Sequence, residues 1–174
     1  MFYLEFVEAI RNFTETGGVV LTYIGVLIFV MWILILERVF YIVKGHRSFY
    51  KNTVTQWNER NDKSSWNAEQ IRQAMVSRVS TKLGVSLPII QSLVALCPLL
   101  GLMGTVTGMI EVFDVMAISG SGNLRSMAAG VSKATIPTMA GMVGALSGVF
   151  AATWLTRKAK REKMKLEETL LLEH

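Results

Sequence analysis

Hydrophobic and polar positions along this chain segregate into blocks. Three runs, 19–36, 86–110 and 134–156, contain no Asp, Glu, Lys or Arg. At 1.5 Å of rise per residue, each is long enough to cross the roughly 30 Å hydrocarbon core of a bilayer. The pattern predicts an all-α integral membrane protein with three transmembrane helices. With their flanks included, these are assigned to 19–43, 86–117 and 128–157.

The segments between the spans have patterns of their own. In 1–18, Phe2, Phe6, Ile10 and Phe13 recur at helical spacing with Glu5, Glu8, Arg11 and Asn12 between them, and Gly17-Gly18 follows. This predicts an amphipathic helix lying in the membrane interface, with a disordered terminus as the alternative. Its acidic character and the lack of a small-residue cleavage pattern argue for a retained helix over a signal peptide. In 44–85, Ile71, Met75, Val79 and Leu83 form an apolar stripe, Asn67 is a candidate N-cap, and Gly84 with Pro88 marks the junction to the second span. So few aliphatics cannot bury an independent core. This loop and the tail 158–174 are therefore expected to be helical extensions that pack with their counterparts in an oligomer. A short polar turn is expected at 118–127, and the terminal Leu172-Glu173-His174 resembles the remnant of a purification tag.

Composition agrees with a membrane class, since 51% of residues are hydrophobic and only 18% charged. Charge then gives orientation. Lys44, Arg47, Lys51, Arg60, Lys63, Arg72, Arg78 and Lys82 crowd the loop, and six more Lys or Arg follow from Arg157. The positive-inside rule puts the loop and the tail in the cytoplasm, with the N-terminus and the 118–127 turn outside. Topology accounts for most of the +5 net charge, and no aromatic-basic platform points to nucleic acid. Cys97 is the single cysteine, so no intrachain disulfide exists, and it reads as a small packing residue.

The second and third spans differ from simple lipid anchors. Gly101, Gly104 and Gly108 recur at i, i+3, i+7, and Gly141, Gly144 and Gly148 repeat that spacing. Such strips let helix backbones approach closely, either in an intramolecular hairpin or between subunits around a pore. At 100° per residue, Pro98, Leu102, Thr105 and Met109 share one side of the second helix, and Ala134, Thr138 and Ala145 one side of the third. These faces are mostly small or apolar with one hydroxyl each, as a narrow, nearly dry channel would need. A threonine in a membrane helix also commonly bonds its own preceding turn.

Ionisable groups sharpen this. Glu111 and Lys133 are expected to approach each other near the outer end, within one subunit or between neighbours, with Asp114 as the competing partner. No carboxylate or histidine lies mid-span, so a proton crossing here needs a titratable group from another chain. There is no P-loop, hydrolytic triad or Cys/His metal cluster. No enzyme activity, metal or cofactor is expected, and the spans lack the midplane polar cluster of a small-molecule transporter.

The stretch Cys97-Pro98-Leu99-Leu100-Gly101-Leu102-Met103-Gly104-Thr105-Val106-Thr107-Gly108-Met109 resembles the second-span signature of the ExbB/TolQ/MotA proton-channel family. Lys133-Ala134-Thr135-Ile136-Pro137-Thr138-Met139-Ala140-Gly141-Met142-Val143-Gly144-Ala145 is similar to its third-span signature, and Glu37-Arg38 to the charged pair ending its first span. Three spans with a modest loop point to the ExbB branch. The resemblance implies a pentamer in the bacterial inner membrane, around an ExbD-like single-span partner whose membrane aspartate carries the proton. A TonB-like protein would then energise outer-membrane uptake of iron chelates and other nutrients. Thr105 and Thr138 would be the pore hydroxyls facing that aspartate. Where many relatives carry a glutamate this chain has Lys133, so a glutamate's role does not transfer. A TolQ-like role in envelope maintenance and a non-conducting scaffold are the competing readings.

Overall fold

A computed structural model describes residues 2–60, 65–119 and 124–171; the side chains of 2–17, 44–49, 119, 124–126 and 171 lie outside that description. Part of the 118–127 turn, the face of Phe2, Phe6, Ile10 and Phe13, and Leu172-Glu173-His174 therefore fall outside it. The described chain is α-helical: α1 Phe2–Phe40, a π-helical turn Tyr41–Gly45, α2 His46–Asn58, α3 Trp66–Gly84, α4 Leu87–Ser119 and α5 Leu124–Leu171. Gly18 interrupts α1 with φ 68° and ψ −168°, a left-handed-side conformation that a Cβ disfavours. Three of the helices are long and apolar enough to cross a membrane. At 48 residues, α5 is more than twice the length that a bilayer requires.

The chain divides into two compact units. The first combines α1 up to Trp32 with Ser92–Val149 of α4 and α5. Its interior is apolar: Leu21, Ile24 and Met31 from α1, Val94, Cys97 and Val112 from α4, and Ala134 and Ala145 from α5. Its outward side chains, among them Phe29, Leu99, Val106, Met139 and Leu146, are also apolar, as lipid or neighbouring helices demand.

The second unit comprises Ile33–Gln91 and the chain from Phe150 onward. Here the helical loop and tail already have buried positions within the single chain. Trp57 of α2, Ala68, Val76, Val79 and Leu83 of α3, and Ala152, Leu155, Ala159, Leu166 and Leu170 of α5 are all buried within this unit. Loop and tail each lack aliphatics for a core, but α5 offers a stripe at 3-, 4- and 7-residue steps, all on one helix face, that completes one. The Tyr50 and Thr169 hydroxyls share a 2.8 Å hydrogen bond that ties α2 to α5. The N-cap of α3 is Ser65 instead of Asn67: its extended backbone (φ −73°, ψ 159°) lets the hydroxyl accept from the Ala68 N–H at 3.2 Å.

Candidate functional site

The site expected from sequence lies where α4 and α5 run antiparallel in the first unit. Their register follows from what a Cβ on each glycine would meet. Gly101 faces Thr138, with a Cβ there 3.0 Å from the Thr138 Cα, and Gly108 faces Ala134, 2.6 Å from its Cβ. Gly104 accommodates the Pro137 ring, and Gly130 faces Val112. On the Cys97 side, a Cβ on Gly141 would stand 2.5 Å from the Cys97 carbonyl oxygen. The remaining strip positions also meet α1: Gly144 lies against Ile28, and a Cβ on Gly148 would stand 2.6 Å from the Val94 Cγ2 of α4 and 2.7 Å from the Met31 Sδ of α1. Both strips thus serve contacts inside one chain, where close backbone approach and van der Waals packing hold helices together in lipid.

This register brings Thr105 and Thr138 within about one turn of each other along the helix axes. Both are half-buried. The Thr105 hydroxyl donates to the Leu102 carbonyl of its own helix at 2.7 Å. Thr138 does otherwise, reaching across the interface to donate to the Gly101 carbonyl at 2.8 Å. Thr107, Thr135 and Ser147 return their protons to their own helices. A hydroxyl without water must find such an acceptor, and only where Gly101 admits close approach does a facing carbonyl come within reach.

The other channel-face candidates separate. Leu102 is exposed, and Pro98 and Met109 are half-buried. Ala134 and Ala145 are buried at 3% and 9% exposure, with Ala134 filling the space opposite Gly108, so neither presents an open surface in the single chain. Glu111, Asp114 and Lys133 are exposed, and among the described residues no ion pair joins them.

A polar centre that sequence reasoning missed lies in the second unit. Arg38 is only 7% exposed, yet no carboxylate pairs with it among the described residues. Its guanidinium donates to the Ser86 hydroxyl at 2.6 Å and to the Lys82 carbonyl at 3.3 Å, and it stands 5.5 Å from the Tyr41 ring centre. Lys82 sits in the last turn of α3, so the cation meets the negative end of that helix. Arg38 thus ties the end of α1 to the elbow between α3 and α4.

The family model for the MotA/TolQ/ExbB proton channel family matches residues 42–168, well over half of the chain. The chain belongs to that family. This is a family of membrane channels, and the matched region takes in α4 and all but the last three residues of α5. An ExbB-like biopolymer transport protein of Synechocystis is 43% identical over 61 residues, 33% of this chain and 24% of that protein. Biopolymer transport protein exbB1 of Vibrio cholerae is 45% identical over 74 residues, 42% of this chain and 32% of that protein. Tol-Pal system protein TolQ of Pseudomonas aeruginosa is 34% identical over 86 residues, 48% of this chain and 37% of that protein. The matches thus span about a quarter to a third of the length of these relatives.

Proposed function

We propose that this chain is the channel-scaffold subunit of a transducer driven by the proton-motive force in a bacterial inner membrane. In this reading five copies surround an ExbD-like single-span partner that supplies a membrane aspartate. Inward proton flow then drives motion that a TonB-like protein passes to outer-membrane receptors for iron chelates and other nutrients. The N-terminus is periplasmic and the C-terminus cytoplasmic. The carrying observation is the α4–α5 hairpin, which holds Thr105 and Thr138 within about one helical turn of each other in apolar runs that have no carboxylate or histidine of their own. A proton path through such helices is incomplete, and a carboxylate from another chain completes it.

Proton flux and iron-chelate uptake are to be measured for the double variant Thr105→Val/Thr138→Val, after its assembly has been verified. Loss of both with assembly intact supports the reading, whereas normal flux and uptake would remove the pore hydroxyls. A neighbouring gene for a short single-span protein with an aspartate in its span would add independent support.

A TolQ-like role in envelope maintenance is the second reading, favoured by the 34% identity to the Pseudomonas aeruginosa TolQ. Complementation of strains lacking either ExbB or TolQ separates the two. A chain that assembles in both strains and conducts in neither would instead be a non-conducting scaffold.

A further inference from the structure

The cations that follow the third apolar run fall into two groups. Lys158 and Lys165 pair with Glu162 at 3.8 and 3.4 Å, and Lys163 pairs with Glu167 at 3.6 Å. Arg157, Lys160 and Arg161 are exposed, and among the described residues none of them has an ion pair. At i, i+3 and i+4 the three share one face of α5. One turn before Arg157 on that face stands Trp154, 50% exposed, and one turn before that Phe150, 77% exposed. The carboxylate next on this face is Glu168, seven residues beyond Arg161.

From Phe150 to Arg161 a single exposed face therefore passes from a bare aromatic ring, through an indole, to three unpaired cations. That order follows the depth profile of one phospholipid: acyl chain, interface, phosphate. An indole favours the interface, and each cation near an anionic membrane surface strengthens its attraction. We infer that Trp154, Arg157, Lys160 and Arg161 form a binding site for the headgroup of an anionic phospholipid, with Phe150 against its acyl chains. The recognised chemistry is a phosphate diester with a net negative charge, so phosphatidylglycerol qualifies and zwitterionic phosphatidylcholine does not. The commitment to lipid over a free anion rests on Phe150 and Trp154, which a soluble phosphate would leave without a partner.

The test uses the full chain in mild detergent, titrated with short-chain phosphatidylglycerol, short-chain phosphatidylcholine and inorganic phosphate, and read by native mass spectrometry. The unmodified chain is expected to retain phosphatidylglycerol in preference to phosphatidylcholine, and phosphate is expected not to displace it. Arg157→Gln/Lys160→Gln/Arg161→Gln should weaken that retention roughly tenfold or more. Lys158→Gln/Lys163→Gln/Lys165→Gln, which removes the paired cations, should leave it nearly unchanged. Equal retention of the two lipids by the unmodified chain overturns the inference without any variant needing to fold. Displacement by phosphate would reassign the site to a free anion, an equal loss in both triple variants would reduce it to general charge, and a neighbouring copy or acidic protein held on this face in place of lipid would also overturn it.

Discussion

The hydroxyl of Thr138 donates to the backbone carbonyl of Gly101 across the α4–α5 interface at 2.8 Å. This bond and the glycine depend on each other, since a Cβ on Gly101 would stand 3.0 Å from the Thr138 Cα and push the helices apart. Interhelical hydrogen bonds in membranes contribute about 0.6 kcal/mol on average and up to about 1.7. Thr138→Val should therefore lower the stability of the solubilised chain by about 1 kcal/mol, and Thr138→Ser, which keeps the donor, by clearly less. Thr105→Val removes only a bond within its own helix and should cost less than Thr138→Val. Unfolding in detergent, compared across the three variants, checks the order.

Glycine substitutions should sort by what faces them. A methyl at Gly141 meets the Cys97 carbonyl oxygen at 2.5 Å, a backbone atom that moves only with its helix. At Gly25 it meets nothing within 4 Å. Overpacking typically costs about 1–3 kcal/mol, so Gly141→Ala should fall in that range and Gly25→Ala should leave the chain unperturbed. Thermal unfolding of the two variants in one detergent checks this, and equal stability would contradict the close approach of α4 and α5.

Arg38 makes a stronger demand on its side chain than its charge alone. It reaches Ser86 and Lys82 from one planar fork, which a lysine cannot do. Arg38→Gln should cost about 1–3 kcal/mol by leaving buried polar groups unpaired, with Arg38→Lys between it and the wild type. Protease cleavage near the Gly84–Ser86 elbow reads the loss locally, and unchanged cleavage would deny Arg38 the role of fastening it.

These contacts mark how far the sequence is legible. Length and lack of charge are local properties, so 19–36, 86–110 and 134–156 declare themselves as spans, and the signature around Gly101 and Pro137 declares the family. Face and depth single out Thr105 and Thr138. Whether a hydroxyl turns to its own helix or the next depends on interhelical distance, which periodicity does not contain. Ala134 lies on the same nominal face as Thr138 but is buried against Gly108, because a 100° step cannot distinguish the two edges of a face. The core of the second unit was hidden because α3 and α5, about 80 residues apart, each carry only part of it. Arg38 reads as a charge at the end of a span, and nothing local ties it to Ser86, 48 residues away.

On α3, the Arg72 guanidinium donates to both oxygens of Glu69, at 2.9 and 2.6 Å, and the Gln73 amide donates at 3.2 Å. Together, with Arg72 foremost, they hold the carboxyl at about 2 against an ordinary 4.5. A carboxyl lowered in the folded state stabilises fully above its unfolded value, and this contribution is lost as pH falls from about 4.5 through 2. The group is open to solvent, so the effect on stability is small and the titration is the better readout. Carbon NMR of the Glu69 carboxyl should give a midpoint near 2, and Arg72→Gln should move it up toward 4.5.

Glu111 and Lys133 should pair between neighbouring subunits. Both are exposed, and no ion pair joins them within the chain, yet the register of α4 and α5 sets them near the same end of their spans. Unpaired charges at such depth are costly, so assembly is where they would be compensated. Glu111→Lys places two cations together and Lys133→Glu two carboxylates, and each should weaken the oligomer. The double exchange restores opposite charge and should recover assembly beyond the sum of the single effects, a coupling of about 0.5–3 kcal/mol for residues in contact. Oligomer mass against detergent concentration reads all four chains. A double variant no better assembled than either single one would remove this pair, and recovery of Glu111→Lys by a compensating change at Asp114 would transfer the role there.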